Sequence, residues 1–135
     1  VSRRRSPGKR SSAWIRPEKR WAIYERDGFR CVWCGQEPDQ LTLDHLFHRR
    51  HRCRDNEARR LVTSCVHCNL SRKDLGVADT LRNIRAQGFD VEATLRRLRT
   101  ARWVPVNRRA GARALAAARA REAQLVESMR GEVVW

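Results

Sequence analysis

Apolar residues recur at spacings of three and four over much of the chain, interrupted near its middle by two short β-favourable runs. Pro17 suits the first turn of a helix, Trp21, Ile23 and Tyr24 supply its apolar contacts, and Gly28 ends it, so a helix is predicted from Pro17 to about Asp27. Leu41-Thr-Leu-Asp-His-Leu46 follows Pro38, Asp39 and Gln40 and reads as a strand, and Leu61-Val-Thr63 reads as a second. Ser64 is placed to cap a helix running from near Cys65 to about Asp74, with Gly76 as its stop. Helix formers dominate beyond Gly76. Ala78 to Gln87, Val91 to Arg102 with Asp90 as cap, and Arg108 to Arg130 are predicted helices. Leu81 with Ile84, Leu95 with Leu98, and Leu115 with Leu125 and Met129 are expected to face inward.

This order of elements predicts an α+β fold, a β-loop-β-α unit with helices on both sides, and 135 residues suit one modest core. Charge then narrows the class of partner. Thirty Lys and Arg against 15 Asp and Glu give a formal net charge of +15, far more than solubility requires, and point to a polyanion, with nucleic acid the first choice over a membrane surface. No apolar run approaches the roughly 18 residues of a membrane span. The basic start is not followed by an apolar stretch, so no secretory signal is expected. Val1 to Arg16, with Arg3, Arg4, Arg5, Lys9, Arg10 and Arg16 and no acid, reads as a disordered basic arm.

Four of the five cysteines fall into two C-x2-C pairs, Cys31/Cys34 and Cys65/Cys68. Each pair offers two sulfurs from one turn, and the folded segment between them returns the chain, so a structural four-thiolate Zn2+ site is expected. Cys53 is left over in an arginine-rich loop. Metal-held thiolates suit a reducing compartment, a cytoplasm or nucleus, and a cytoplasmic protein of bacterial or phage origin is expected.

Inside the span closed by the cysteines lies Asp44-His45, and Asn69 directly follows Cys68. Asp44 can hold a hard divalent cation through oxygen, Asn69 can deliver a second oxygen from the start of a helix, and His45 can take a proton from an attacking water. Adjacent strand residues face opposite ways, so Asp44 and His45 act together only where the strand ends. Trp33 and Trp103 are candidates for base stacking or for packing, and His67 is expected to point away from the metal.

Tyr24-Glu-Arg-Asp-Gly-Phe-Arg-Cys-Val-Trp-Cys-Gly35, Leu43-Asp-His45 and Leu61-Val-Thr-Ser-Cys-Val-His-Cys-Asn-Leu-Ser-Arg-Lys73 together resemble the HNH endonucleases, a family of ββα-metal nucleases. The likeness spans residues 17–76. It implies a hydrolase that cleaves DNA phosphodiesters, with His45 as general base and with Asp44 and Asn69 on a catalytic Mg2+, Mn2+ or Ni2+. The family carries Asn just before the Leu-Val-Thr strand, where this chain has Arg60, and a glycine pair in the preceding loop, where this chain has Arg49-Arg-His-Arg-Cys53. Asn56 is the only Asn in that loop, so either Asn56 or a different contact braces the loop that positions the histidine, or the site is impaired.

Arg72 and Lys73, three and four residues after Asn69, share its helix face and are expected to reach phosphate, as are Arg49, Arg50 and Arg60 in the loop and strand entry. His48 and His51 are read as solvent or phosphate contacts. Arg96, Arg97 and the other arginines of the C-terminal helices offer a surface that tracks a backbone. The chain therefore divides into a basic arm (1–16), a nuclease-like zinc unit (17–76) and a helical, basic, DNA-binding extension (77–135). Two functions remain open, a metal-dependent endonuclease and a zinc-stabilised DNA-binding module whose catalytic centre is impaired. A homodimer or a partner protein that supplies specificity is compatible with either.

Overall fold

In the computed structural model, which describes residues 15–47 and 56–133, Pro17 starts α1 (Pro17–Arg26), where its missing N–H leaves nothing unsatisfied. Gly28 and Phe29 take φ of 72° and 58°, and the Phe29 N–H donates to Tyr24 O at 2.9 Å. Glycine enters that left-handed conformation without steric cost, which stops the helix where the sequence places its end. Strands β1 (Leu41–His45) and β2 (Leu61–Cys65) pair antiparallel, Leu41 opposite Cys65 and His45 opposite Leu61. Four helices follow: α2 (Val66–Arg72), α3 (Val77–Ala86), α4 (Val91–Trp103) and α5 (Arg108–Val133). The architecture is α+β, a two-stranded sheet with five helices among the described residues. None of these helices is long and apolar enough to cross a membrane.

The local differences from the sequence reading have physical causes. Strand β2 runs two residues further than expected, so Ser64 is inside it, and the α2 cap is Cys65, whose Sγ accepts from the Cys68 N–H at 3.3 Å. Lys73, at φ 50°, ends α2, and Gly76 starts α3 rather than stopping its predecessor. Asp90 caps α4 as its residue type suggests, accepting from the Ala93 N–H at 3.2 Å. Ile15, assigned to the basic arm by composition, is buried with Ile23 and Leu61.

The main core joins the first cysteine turn to the C-terminal helices. Cys31, Val32 and Trp33 lie in one cluster with Leu46 and Val62 and with Ile84, Leu98 and Ala101 from α3 and α4. Trp33 is therefore a core residue. Polar contacts tie the same elements: Thr94 Oγ1 donates to Trp33 O at 2.8 Å and Arg97 Nε to Val32 O at 2.8 Å. On the other side of the sheet, a buried pair of Arg26 and Asp27 locks the end of α1 to β2. Arg26 donates to Ala58 O and Leu61 O, and Asp27 Oδ2 accepts the Thr63 N–H.

Helix α5 has 26 residues, about 39 Å, and lies along α1, whose 10 residues span only about 15 Å. Leu115 falls within the overlap and is buried. Leu125 and Met129 fall beyond it and are more than half exposed, so the inward-facing stripe expected there ends with its partner helix. The crossing depends on Gly111, where a Cβ would come within 2.5 Å of the Ala22 backbone. Backbone cannot yield as a side chain does, so the helices would have to separate. Gly111→Ala is expected to destabilise by about 1–3 kcal/mol despite the gain of about 1 kcal/mol in helix propensity. Gly131→Ala, in open space on the same helix, should be neutral or stabilising. Urea midpoints of the two variants test this; a stable Gly111→Ala would mean that the helices do not approach so closely.

Candidate functional site

The two cysteine turns are built by short backbone bonds. The Gly35 N–H donates to Cys31 O at 2.8 Å and the Cys31 N–H to Gln36 O at 2.9 Å, with Gly35 at φ 80°, while Cys65 and Cys68 sit at the start of α2. All four sulfurs lie within 4.8 Å of one another, and Cys34 and Cys65 are 4.0 Å apart. A tetrahedral zinc with bonds of about 2.3 Å needs sulfurs about 3.8 Å apart, so small adjustments close the site. The ionisation of the cluster also fits a metal. A hydrogen bond from Cys68 pulls the Cys31 thiol down to about 4. Burial pushes Cys34 up to about 11, and the bond to Cys31 together with burial raises Cys68. Burial and the Cys31 thiolate thus keep Cys34 and Cys68 as thiols, and a bound divalent cation would supply the countercharge that lets them ionise as well.

Next to the cysteine cluster in sequence, β1 and α2 bring Asp44, His45 and Asn69 to one cleft of about 400 Å³, lined also by Phe47, Lys73 and Asp74. His45 is the last residue of β1, so it can share a cleft with Asp44. Asn69 is oriented by its amide nitrogen, which donates to Thr42 Oγ1 at 3.1 Å and Leu43 O at 3.2 Å. Its carboxamide oxygen is left as the acceptor. His45 Nε2 lies 3.1 Å from Asn56 Oδ1. With that oxygen as acceptor, Nε2 carries the proton and Nδ1 keeps the lone pair. Asn56 is in turn held through its backbone oxygen by Lys19 Nζ, from α1.

Asp44 is more constrained than its motif suggests. It is buried, and its Oδ2 accepts from Trp33 Nε1 and from Arg72, each at 2.9 Å. Burial pushes its carboxyl above the usual range, against the pull of the Arg72 guanidinium. Oδ1 makes no hydrogen bond among the described residues. No protein-family model matches the chain, and neither does a characterised protein or a solved structure.

The basic residues expected at phosphate separate into distinct groups. Arg72 is 4% exposed and bonds to Asp44, Thr80 and three backbone carbonyls, so the expectation that it reaches DNA is corrected. It holds the site together. Arg97 is half-buried and clasps Val32 O, Trp33 O and Thr94 Oγ1, a structural role that its place in a run of arginines concealed. Arg60 pairs with Glu57 and lies over the Phe47 ring. Lys73 and Arg96 are exposed. Arg49, Arg50, His48, His51 and Cys53 lie outside the described residues, as do residues 1–14. His67 is exposed and outside the cysteine cluster. The contribution of Lys19 was not visible in the sequence, because Lys19 and Asn56 are far apart along the chain.

Proposed function

We propose that the protein is a metal-dependent endonuclease of the HNH type that hydrolyses DNA phosphodiester bonds. The observation that carries this reading is the convergence of Asp44, His45 and Asn69 on one cleft, with Asn56 Oδ1 on His45 Nε2. In the proposed reaction His45 Nδ1 takes a proton from the attacking water, and the hydrogen bond to Asn56 keeps the ring turned and its tautomer fixed while the imidazolium forms. In this reading Asn56 takes the part of the Asn that is missing at position 60, bracing the histidine from a different place in the loop. Asp44 Oδ1 and the Asn69 oxygen would hold a divalent cation, whose chemistry is to stabilise charge on the phosphate and on the leaving oxygen. Lys73, exposed at the cleft edge, and the overall positive charge would favour a nucleic-acid backbone there.

A second reading, a zinc-stabilised DNA-binding module with an impaired centre, is favoured by the pairing of Asp44 Oδ2 with Arg72. That contact leaves Asp44 a weaker cation ligand than an unpaired carboxylate. Turnover separates the two. Wild-type protein is expected to nick supercoiled plasmid with Mg2+, Mn2+ or Ni2+, and His45→Ala to lower the rate by about 10²–10⁴-fold. No nicking by wild type, or equal nicking by both, rejects the nuclease reading.

A further inference from the structure

Beside the cleft the surface carries a feature that hydrolysis at His45 does not use. Phe47 and Trp103 are 41% and 74% exposed, and cations interleave them. The Arg102 guanidinium carbon is 5.2 Å from the Phe47 ring centre and 6.0 Å from that of Trp103, and that of Arg60 is 5.8 Å from Phe47. Phe47 lines the cleft with His45. Trp103 and Arg102 line a second depression of about 520 Å³ with Arg59 and Glu57. The result is a ladder of alternating rings and guanidinium groups leading from the cleft to the end of α4.

Neither ring is explained by the core. Among the described residues, an apolar partner would bury Arg59, Arg60 and Arg102 beside Glu57, which already pairs with two of them, and charge left unpaired in that way is unfavourable. A planar, polyanionic partner fits both halves of the ladder: its faces stack on rings and guanidinium planes, and its phosphates meet the cations. In a duplex the bases already stack on one another and offer no free face.

We infer that the Phe47–Arg102–Trp103 ladder is a stacking track for unpaired nucleotides, so that the cleft acts on DNA with a single-stranded segment beside the scissile phosphate. This rests on the nuclease reading only for the cutting; the track itself is a binding site. It assigns a substrate class, a single strand, flap or bubble, rather than plain duplex.

Fluorescence anisotropy with labelled oligothymidylate of about 16 nucleotides and with a duplex of the same length tests the assignment. No divalent cation is added, and no chelator is used because it would strip the cysteine site. Wild type is expected to prefer the single strand. Trp103→Ala should weaken that affinity by about 5- to 150-fold, the range for one lost base stack, while Trp103→Phe retains most of it. Leu125→Ala, which removes an exposed side chain elsewhere, should leave it unaltered. Because Trp103 is exposed, its variants should melt as wild type does. Equal losses on single strand and duplex, or no loss on either, overturn the track and leave a protein partner as the occupant. If plasmid nicking fails while the Trp103-dependent preference persists, the nuclease reading fails and the track stands. Nicking without such a preference rejects the track and leaves the nuclease reading standing.

Discussion

Removing metal from Cys31, Cys34, Cys65 and Cys68 should unfold the region around them rather than only loosen a surface turn. The cysteine turns are continuous with the core: Cys31, Val32 and Trp33 are each no more than 1% exposed, and the Val32 N–H donates to Thr63 O in β2 at 2.9 Å. Loss of the clamp therefore frees the segment that carries the largest core side chain and one neighbour of the sheet. Structural zinc contributes about 10–16 kcal/mol in small domains, whereas a domain of this size has a net stability of about 5–15 kcal/mol, so the metal term is of the order of the whole. Chelation, or Cys31→Ser or Cys65→Ser, is expected to abolish the cooperative thermal transition, with one zinc released per chain on thiol modification. Circular dichroism with and without chelator, together with a colorimetric zinc count, measures this. A metal-free protein that melts at the same temperature would reject the clamp.

The parts legible in the sequence were those set by near neighbours. Pro17 and Gly28 bounding α1, Asp90 capping α4 and the two C-x2-C turns each depend on residues within about one turn of chain, and each lies where the spacing places it. The convergence of Asp44, His45 and Asn69 was legible for a related reason, because a strand leading through a second strand into a helix fixes their separation. What could not be read is set by distant partners. Arg72 stands in a basic run and looks like a surface cation, yet its acceptors come from β1, the chain just after it and α3. The stripe containing Leu125 and Met129 is periodic in the way a buried face is, but α1 is too short to cover it. Periodicity reports that a helix has an apolar face and says nothing of the length of its partner. The split at residue 76 is a composition boundary, whereas Ile84 and Leu98 complete the core around Trp33.

Arg72→Met should be the most damaging substitution outside the cysteines. A guanidinium has five N–H donors, and the five hydrogen bonds of Arg72 run to Thr80 Oγ1, Asp44 Oδ2, His45 O, Leu46 O and Leu75 O at 2.8–3.1 Å. Its plane also lies 4.4 Å from the Trp33 ring centre. Methionine fills much of the volume but leaves Asp44 a buried carboxylate with only the Trp33 N–H as partner, and breaking a buried pair from one side costs about 3–5 kcal/mol. An exposed pair would cost under about 1 kcal/mol, so denaturant unfolding distinguishes a structural hub from a phosphate-binding side chain. Arg72→Lys should recover only part of the loss, since an ammonium cannot reach acceptors arranged around a planar fork. The second replacement Asp44→Asn should restore stability to Arg72→Met, giving a coupling energy in the double-mutant cycle. The pH dependence has a definite sign. Burial already raises the Asp44 carboxyl above its ordinary value and Arg72 opposes that rise. Without Arg72 the folded state favours the protonated form more strongly, so the deficit relative to wild type should be full at neutral pH and shrink as acidification protonates Asp44. A deficit that is small, or independent of pH, would mean that Arg72 does not compensate Asp44.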